Sequence, residues 1–191
     1  MGSRRTPDFS GFLAGLAREL AQRRIPYMLI GGQAVLVHGR PRLTEDIDVT
    51  LGLEPTELSR ILDLCNTMRL DPLPQNAEEF VRETFVLPTR HDSGIRVDFV
   101  FSTTPYEQQA LERAVRIEVQ GASVAFAAAE DLIIHKLFAG RPRDLEDAIG
   151  VVARRRDSLD WDYLERWALE FSAVPGREEM PRQVADLRRG Q

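Results

Sequence analysis

Two aspartates, Asp46 and Asp48, stand two positions apart in the otherwise apolar segment Asp46-Ile47-Asp48-Val49. Alternate side chains of a strand point to the same face, so a strand here would place both carboxylates side by side. Two like charges at that spacing are costly unless a positive charge lies between them. A hard divalent cation with oxygen ligands, most simply Mg2+, meets that need. Asp46 and Asp48 are therefore candidate metal ligands.

A glycine pair, Gly31-Gly32, precedes these acids by a spacer of thirteen residues. The pair follows the apolar run 27–30 and comes directly before the helix-like segment 33–38. Backbone without Cβ atoms can closely approach a phosphate at a helix N-terminus. Gly31 and Gly32 are therefore predicted to contact the phosphates of the ligand that the metal holds.

A third acid, Asp98, lies in the most β-like segment of the chain, between Val97 and Phe99. A charge there is costly unless it is paired, exposed or bound to metal. If this strand neighbours residues 46–51, three carboxylates could hold two Mg2+ ions, one activating a hydroxyl and one binding a triphosphate. Asp98 is also placed to act as a general base. The alternative for an isolated Asp-x-Asp pair is solvated acids on a strand edge; the glycine pair and Asp98 outweigh it.

The elements that must position these residues follow from the hydrophobic pattern. It predicts an α/β first part, residues 1–127, and a helical second part, residues 128–191, that packs on the first rather than folding independently. Strands are predicted at 27–30, 46–51, 84–87, 95–101 and twice within 116–126; helices at 8–24, from the glycines to about 39, and at 55–70, 105–115, 128–139, 143–156, 160–172 and 178–189; a loop at 71–76; and a turn at 91–94.

The bulk composition limits the classes of protein that fit. The net charge of −5 argues against a wholesale basic, nucleic-acid-coating protein, although a local basic groove stays open. The single cysteine, Cys65, allows no intrachain disulfide and is expected to be a buried small hydrophobe. No apolar run approaches a membrane span, and the first residues lack the apolar core of a signal peptide. We expect a soluble cytoplasmic protein without a membrane partner.

The pattern Ile30-Gly31-Gly32-x13-Asp46-Ile47-Asp48-Val49, followed by Val97-Asp98-Phe99, resembles the nucleotidyltransferase superfamily related to DNA polymerase β. The resemblance implies a mixed sheet flanked by helices, an α/β (α+β) fold. It also implies two Mg2+ ions, an NTP substrate and transfer of a nucleoside monophosphate to a hydroxyl. By the same match, Asp46 and Asp48 bind both metals and Asp98 binds the catalytic metal.

A second motif, Lys136-Leu137-x9-Asp147, resembles one found in the AbiEii-type toxins of type IV toxin–antitoxin systems. In that branch the corresponding lysine and aspartate belong to the active site, which implies catalytic roles for Lys136 and Asp147 and nucleotide binding by Lys136. The alternatives are an exposed helix lysine for Lys136 and a helix salt bridge for Asp147.

Arg42 and Thr44 resemble the Arg-x-Thr-x-Asp run that often precedes the metal-binding acids of these enzymes, which implies nucleotide binding by both. An arginine fork suits phosphate oxygens. The alternative for Arg42 is a solvated loop arginine, since 24 of the 25 basic residues are arginine.

Three interpretations of the whole chain remain. The first is an Mg2+-dependent nucleotidyltransferase that modifies a tRNA 3′ end, a protein hydroxyl or a small molecule; its preferred biological role is that of a toxin with a cognate antitoxin. The second is an antitoxin-type transferase that modifies its partner protein. The third is a nucleotide-binding module without catalysis, against which the intact acids Asp46, Asp48 and Asp98 count.

Overall fold

The computed structural model describes residues 8–41, 44, 46–102 and 104–190. The chain forms two compact units. The first, here called the sheet unit, comprises residues 1–30 and 44–126; the second, the helical unit, comprises residues 31–43 and 127–191. Each unit therefore contains two separate stretches of the chain.

The sheet unit holds a mixed sheet, as the sequence predicts. Its strand order is β3-β4-β5-β2-β1-β7-β6. The pairs β2–β5 and β1–β7 are parallel, whereas the other neighbours are antiparallel. Among the described residues the strands are β1 (Tyr27–Leu29), β2 (Asp46–Leu51), β3 (Leu70–Pro72), β4 (Val86–His91), β5 (Arg96–Phe101), β6 (Val115–Val119) and β7 (Ala122–Phe126).

The two faces of the central strands β2 and β5 differ in polarity. Ile47, Val97 and Phe99 point to one face and are fully buried. Asp46 and Asp48 alternate with them; Asp46 is exposed and Asp48 is half-buried. Because side chains alternate along a strand, the apolar residues fix which face the acids occupy.

The helices of the sheet unit are α1 (Phe9–Gln22), α3 (Leu58–Met68), α4 (Ala77–Thr84) and α5 (Pro105–Arg113). The Asp8 carboxylate caps α1 by accepting a hydrogen bond from the Gly11 N–H at 2.9 Å. Pro105 opens α5, where proline at the first turn costs no backbone hydrogen bond.

Two expectations about this unit are wrong. The strand expected to begin at Thr84 begins at Val86, because Thr84 ends α4 and Phe85 adopts a left-handed conformation at φ +59°. Asp71 and Pro72, expected in the loop 71–76, pair with β4 as part of the short edge strand β3, which begins at Leu70.

The helical unit contains α2 (Gly31–His38), α6 (Ala129–Ala139), α7 (Pro142–Arg155), α8 (Trp161–Phe171) and α9 (Met180–Arg189). Helix α2 packs against α6 and α7, and α8 packs against α6 and α9. Gly140, left-handed at φ +70°, ends α6, and Pro142 opens α7. Within the described residues, no helix combines the length and apolar character needed to cross a membrane.

Candidate active site

The sheet register brings three carboxylates onto one face of the sheet unit. In the parallel pair β2–β5, Asp48 stands opposite Asp98, and Asp46 stands opposite Arg96. Residues opposite each other share a face, as do residues two apart on one strand. Asp46, Asp48 and Asp98 therefore form one group, here called the acid cluster.

Arg96 is a basic residue on the same face. Its Nε donates a hydrogen bond to Asp98 Oδ1 at 2.9 Å, and its second guanidinium nitrogen donates to Asp98 Oδ2 at 3.0 Å. These contacts and the charge of Asp98 raise the pKa of Arg96, and the charges of Asp46 and Asp48 raise it further. Arg96 therefore interacts electrostatically with every member of the acid cluster.

Sequence reasoning did not single out Arg96. The sequence does contain the spacing that could have identified it: Arg96 and Asp98 are two positions apart in a predicted strand and must share one face of it. What the sequence did not supply was the register that sets Arg96 opposite Asp46.

The glycine pair follows β1 after one residue, Ile30. The Ile30 N–H donates to the Asp48 carbonyl at 3.0 Å, which fixes the residue before Gly31 to the acid-bearing strand. Gly31 has φ +59°, a left-handed conformation that favours glycine, and Gly32 is buried in the first turn of α2. The chain therefore turns from strand into helix at Gly31.

Of the two residues predicted to precede the acids as nucleotide ligands, Thr44 lies in the sheet unit. Its hydroxyl donates to the Asp46 carbonyl at 3.4 Å. Arg42 lies outside the described residues.

Lys136 lies in the helical unit and is only 5% exposed. Its Nζ lies 2.8 Å from Asp144 Oδ1 and 2.9 Å from Asp147 Oδ2, so it links α6 to α7. The alternative of an exposed helix lysine is therefore wrong. Asp144 was not predicted as a partner of Lys136. Arg141, three residues earlier in the chain, also donates to both of its carboxylate oxygens, at 2.5 and 3.2 Å.

The charges around Asp144 determine its ionisation. Burial would raise its pKa, but hydrogen bonds and charge from Arg141 and Lys136 hold the pKa below its usual value. Asp144 is therefore an ionised partner of Lys136 at neutral pH.

Two histidines of the helical unit are disfavoured as cations. Burial lowers the pKa of His38, whose Nε2 lies 2.8 Å from the Ala127 carbonyl oxygen. Burial, with the nearby charge of Lys136, lowers the pKa of His135 to about 4. Both imidazoles are therefore neutral near pH 7.

The donor chemistry of the acid cluster fits Mg2+, which prefers oxygen ligands. Within the described part of the chain, however, no three histidine, cysteine or acidic side chains are already arranged around a metal position. The two observations agree with how Mg2+ is usually held, by one or two carboxylates together with substrate phosphates and water rather than by an all-protein cage.

Comparison with known protein families identifies one family whose model matches most of the chain. The family described as "Nucleotidyltransferase of unknown function (DUF6036)" matches residues 13–188. No curated protein is significantly similar to the sequence.

Three solved structures of similar fold cover between 74% and 94% of this chain. An antigenic nucleotidyltransferase-like protein from Paracoccidioides brasiliensis has a TM-score of 0.53 and 17% identity, over 91% of this chain and 92% of that chain. ANT(2'')-Ia in complex with adenylyl-2''-tobramycin has a TM-score of 0.54 and 12% identity, over 94% and 97%. The lincosamide antibiotic adenylyltransferase LnuA, lincomycin-bound, has a TM-score of 0.53 and 13% identity, over 74% and 94%. At these identities the similarity shows a shared α/β nucleotidyltransferase-like fold.

Proposed function

The chain belongs to this nucleotidyltransferase family, and from that premise we propose that it moves a nucleoside monophosphate from an Mg2+-bound NTP to a hydroxyl acceptor. The acceptor oxygen forms a bond to the α-phosphorus, and pyrophosphate leaves. The observation that carries the proposal is the register pair Asp48–Asp98, with Asp46 on the same face. Three carboxylates on a partly exposed sheet face are the donor set that metal-dependent phosphoryl chemistry needs.

Each acid has a proposed role. Asp46 and Asp48 hold both metal ions, and Asp98 holds the catalytic one and accepts the proton of the attacking hydroxyl. When bound, Mg2+ neutralises the triphosphate and lowers the pKa of the attacking hydroxyl. The turn at Gly31-Gly32 presents backbone N–H groups to phosphate oxygens, and Thr44 contributes to nucleotide binding.

The first experiment separates an enzyme from a binding module. The purified chain is incubated with each labelled NTP in turn, Mg2+, and either total RNA or cell protein. We expect label transfer that Asp48→Asn reduces by about a hundredfold or more. Asp71→Asn, which removes an exposed carboxylate from the edge strand β3, is the matched control and should leave transfer unchanged. Binding of NTP without transfer to any acceptor would support the non-catalytic module instead.

We also propose that the biological role is that of an AbiEii-type toxin, acting in the cytoplasm, where NTPs are available, on a tRNA 3′ end. The support is the sequence motif Lys136-Leu137-x9-Asp147. The ion pair between its two charged members, 2.9 Å apart, is equally what the salt-bridge alternative for Asp147 predicts. Lys136 and Asp147 are proposed active-site residues on the same basis.

Growth of a host that expresses the chain tests the toxin role. We expect growth arrest and label on RNA, both lost in Asp48→Asn at equal expression. Label on a single partner protein without growth arrest would favour the antitoxin-type transferase. The ANT(2'')-Ia structure contains adenylyl-2''-tobramycin, so aminoglycosides are included as small-molecule acceptors in the same assay.

A further inference from the structure

The bidentate contact between Arg96 and Asp98 bears on how the acid cluster takes up its metal. Both oxygens of Asp98 accept hydrogen bonds from one guanidinium, at 2.9 and 3.0 Å. Asp46 stands opposite Arg96 in the sheet register. The guanidinium is therefore a positive charge that reduces the mutual repulsion of the three carboxylates on this face.

A guanidinium and a divalent cation compete for such a carboxylate. Both are attracted to the same oxygens, and their like charges repel each other at the few ångströms that separate two ligands of one carboxylate. Binding of a cation to Asp98 thus weakens or breaks the Arg96–Asp98 pair. The Arg96 side chain is 41% exposed, so it has solvent-accessible space into which it can move.

We propose, on the premise of the function proposed above, that Arg96 is the resident counter-cation of the acid cluster and exchanges with the catalytic divalent cation. Before cation binding, Arg96 pairs with Asp98 and stabilises the cluster. During cation binding, the guanidinium leaves Asp98. Arg96 therefore raises the divalent-cation concentration at which the site fills.

The exchange also links cation binding to nucleotide binding. A guanidinium released from a carboxylate presents the same planar fork to phosphate oxygens. Interaction with the triphosphate therefore compensates for the lost pair with Asp98. Because coupling between two ligands is reciprocal, NTP should strengthen cation binding more in the wild-type chain than in a chain that lacks this guanidinium.

The test measures binding of Mn2+ alone, by electron paramagnetic resonance of the free ion, so that no turnover is needed. Arg96→Gln should bind Mn2+ about two- to fivefold more tightly than wild type, the range expected when a partly exposed ion pair no longer competes. The matched control is Arg90→Gln on β4, because Arg90 stands opposite Arg96 in the neighbouring strand and carries the same charge. That control should change the affinity by less than about twofold, since exposed charges are screened by salt.

Two further measurements distinguish exchange from a merely structural role. Without divalent cation, Arg96→Gln should melt at a lower temperature than wild type, and Mn2+ should restore most of the difference. A non-hydrolysable NTP analogue should bind Arg96→Gln more weakly in saturating Mn2+. A structural defect would weaken both ligands, whereas exchange predicts tighter cation binding and weaker nucleotide binding.

The outcomes separate this inference from the proposed function. The exchange is overturned if Arg96→Gln binds Mn2+ no more tightly than wild type. The metal site itself is still supported in that case if wild type binds Mn2+ and Asp48→Asn abolishes the binding. An equal increase in Mn2+ affinity in Arg90→Gln also overturns the exchange, because the gain would then come from removing any positive charge near the site. Absence of Mn2+ binding to wild type, with or without the NTP analogue, overturns the function and the exchange together.

Discussion

Replacement of Lys136 by methionine should strongly destabilise the helical unit. Lys136 is only 5% exposed and lies within 2.9 Å of both Asp144 and Asp147. Removing one partner of a buried ion pair leaves a buried charge uncompensated and typically costs about 3–5 kcal/mol. Asp144 keeps Arg141 as a second cation, which limits the loss. We therefore expect a loss near the lower limit, about 3 kcal/mol.

Urea unfolding followed by circular dichroism measures this loss. Arg182→Met is the matched control, because it also removes a cation from this unit but from an exposed pair with Glu179. Such a pair contributes less than about 1 kcal/mol. The reasoning is refuted if Lys136→Met loses no more stability than Arg182→Met.

A double variant then separates folding from catalysis. Lys136→Met with Asp147→Asn removes the lysine together with the charge that it leaves behind, so it should recover part of the lost stability. If Lys136 also contacts nucleotide, the stabilised double variant still fails to transfer label. Recovery of both stability and transfer would make the ion pair purely structural.

Three smaller predictions concern other parts of the chain. Gly31→Ala should destabilise the fold by about 1–2 kcal/mol, because an alanine at φ +59° is strained. Gly15→Ala is the control and should stabilise slightly, because Gly15 is helical and its nearest neighbour, Met68 Cε, is 3.8 Å from an added Cβ. The prediction is contradicted if the two variants shift the urea midpoint in the same direction. The pKa of His135 is about 4 in the folded chain and about 6.5 in the unfolded chain. Its contribution to the free energy of unfolding is therefore complete above pH 6.5 and is lost as pH falls toward 4, where the unfolded chain binds the proton first. His135→Gln should reduce the change of melting temperature with pH between pH 6.5 and 4. An unchanged pH dependence would contradict this prediction. Burial raises the pKa of Cys65 to about 12, so the folded chain should resist alkylation at pH 8 and react only after unfolding; prompt labelling would disprove this.

The strands that carry the acids could be predicted from the sequence because their pattern is unambiguous. Ile47 and Val49 alternate with Asp46 and Asp48, and one face must be buried. The same rule identified the strand of Asp98, and the structure confirms the mixed sheet. Register between distant strands is not encoded in any local pattern, so the pairing of Arg96 with Asp46 required the structure.

The backbone conformation at Phe85 and the ion-pair partner of Lys136 were less predictable from the sequence. Phe85 is β-like by residue type, but it caps α4 in a left-handed conformation that few aromatic residues adopt. Lys136 could be placed on a helix from its periodicity. Its partner Asp144 could not, because the angle between two helices joined at Gly140 decides which acid the lysine reaches.

The position of α2 in the chain has a consequence for biosynthesis. Helix α2 lies between β1 and β2 in sequence, yet the helices that it packs against, α6 and α7, come after every strand. On the ribosome, the glycine turn therefore emerges long before the helices that will support it. If the turn at Gly31 binds phosphate as proposed, a nascent or prematurely terminated chain lacks the helices that support it, and nucleotide transfer would require translation past α7.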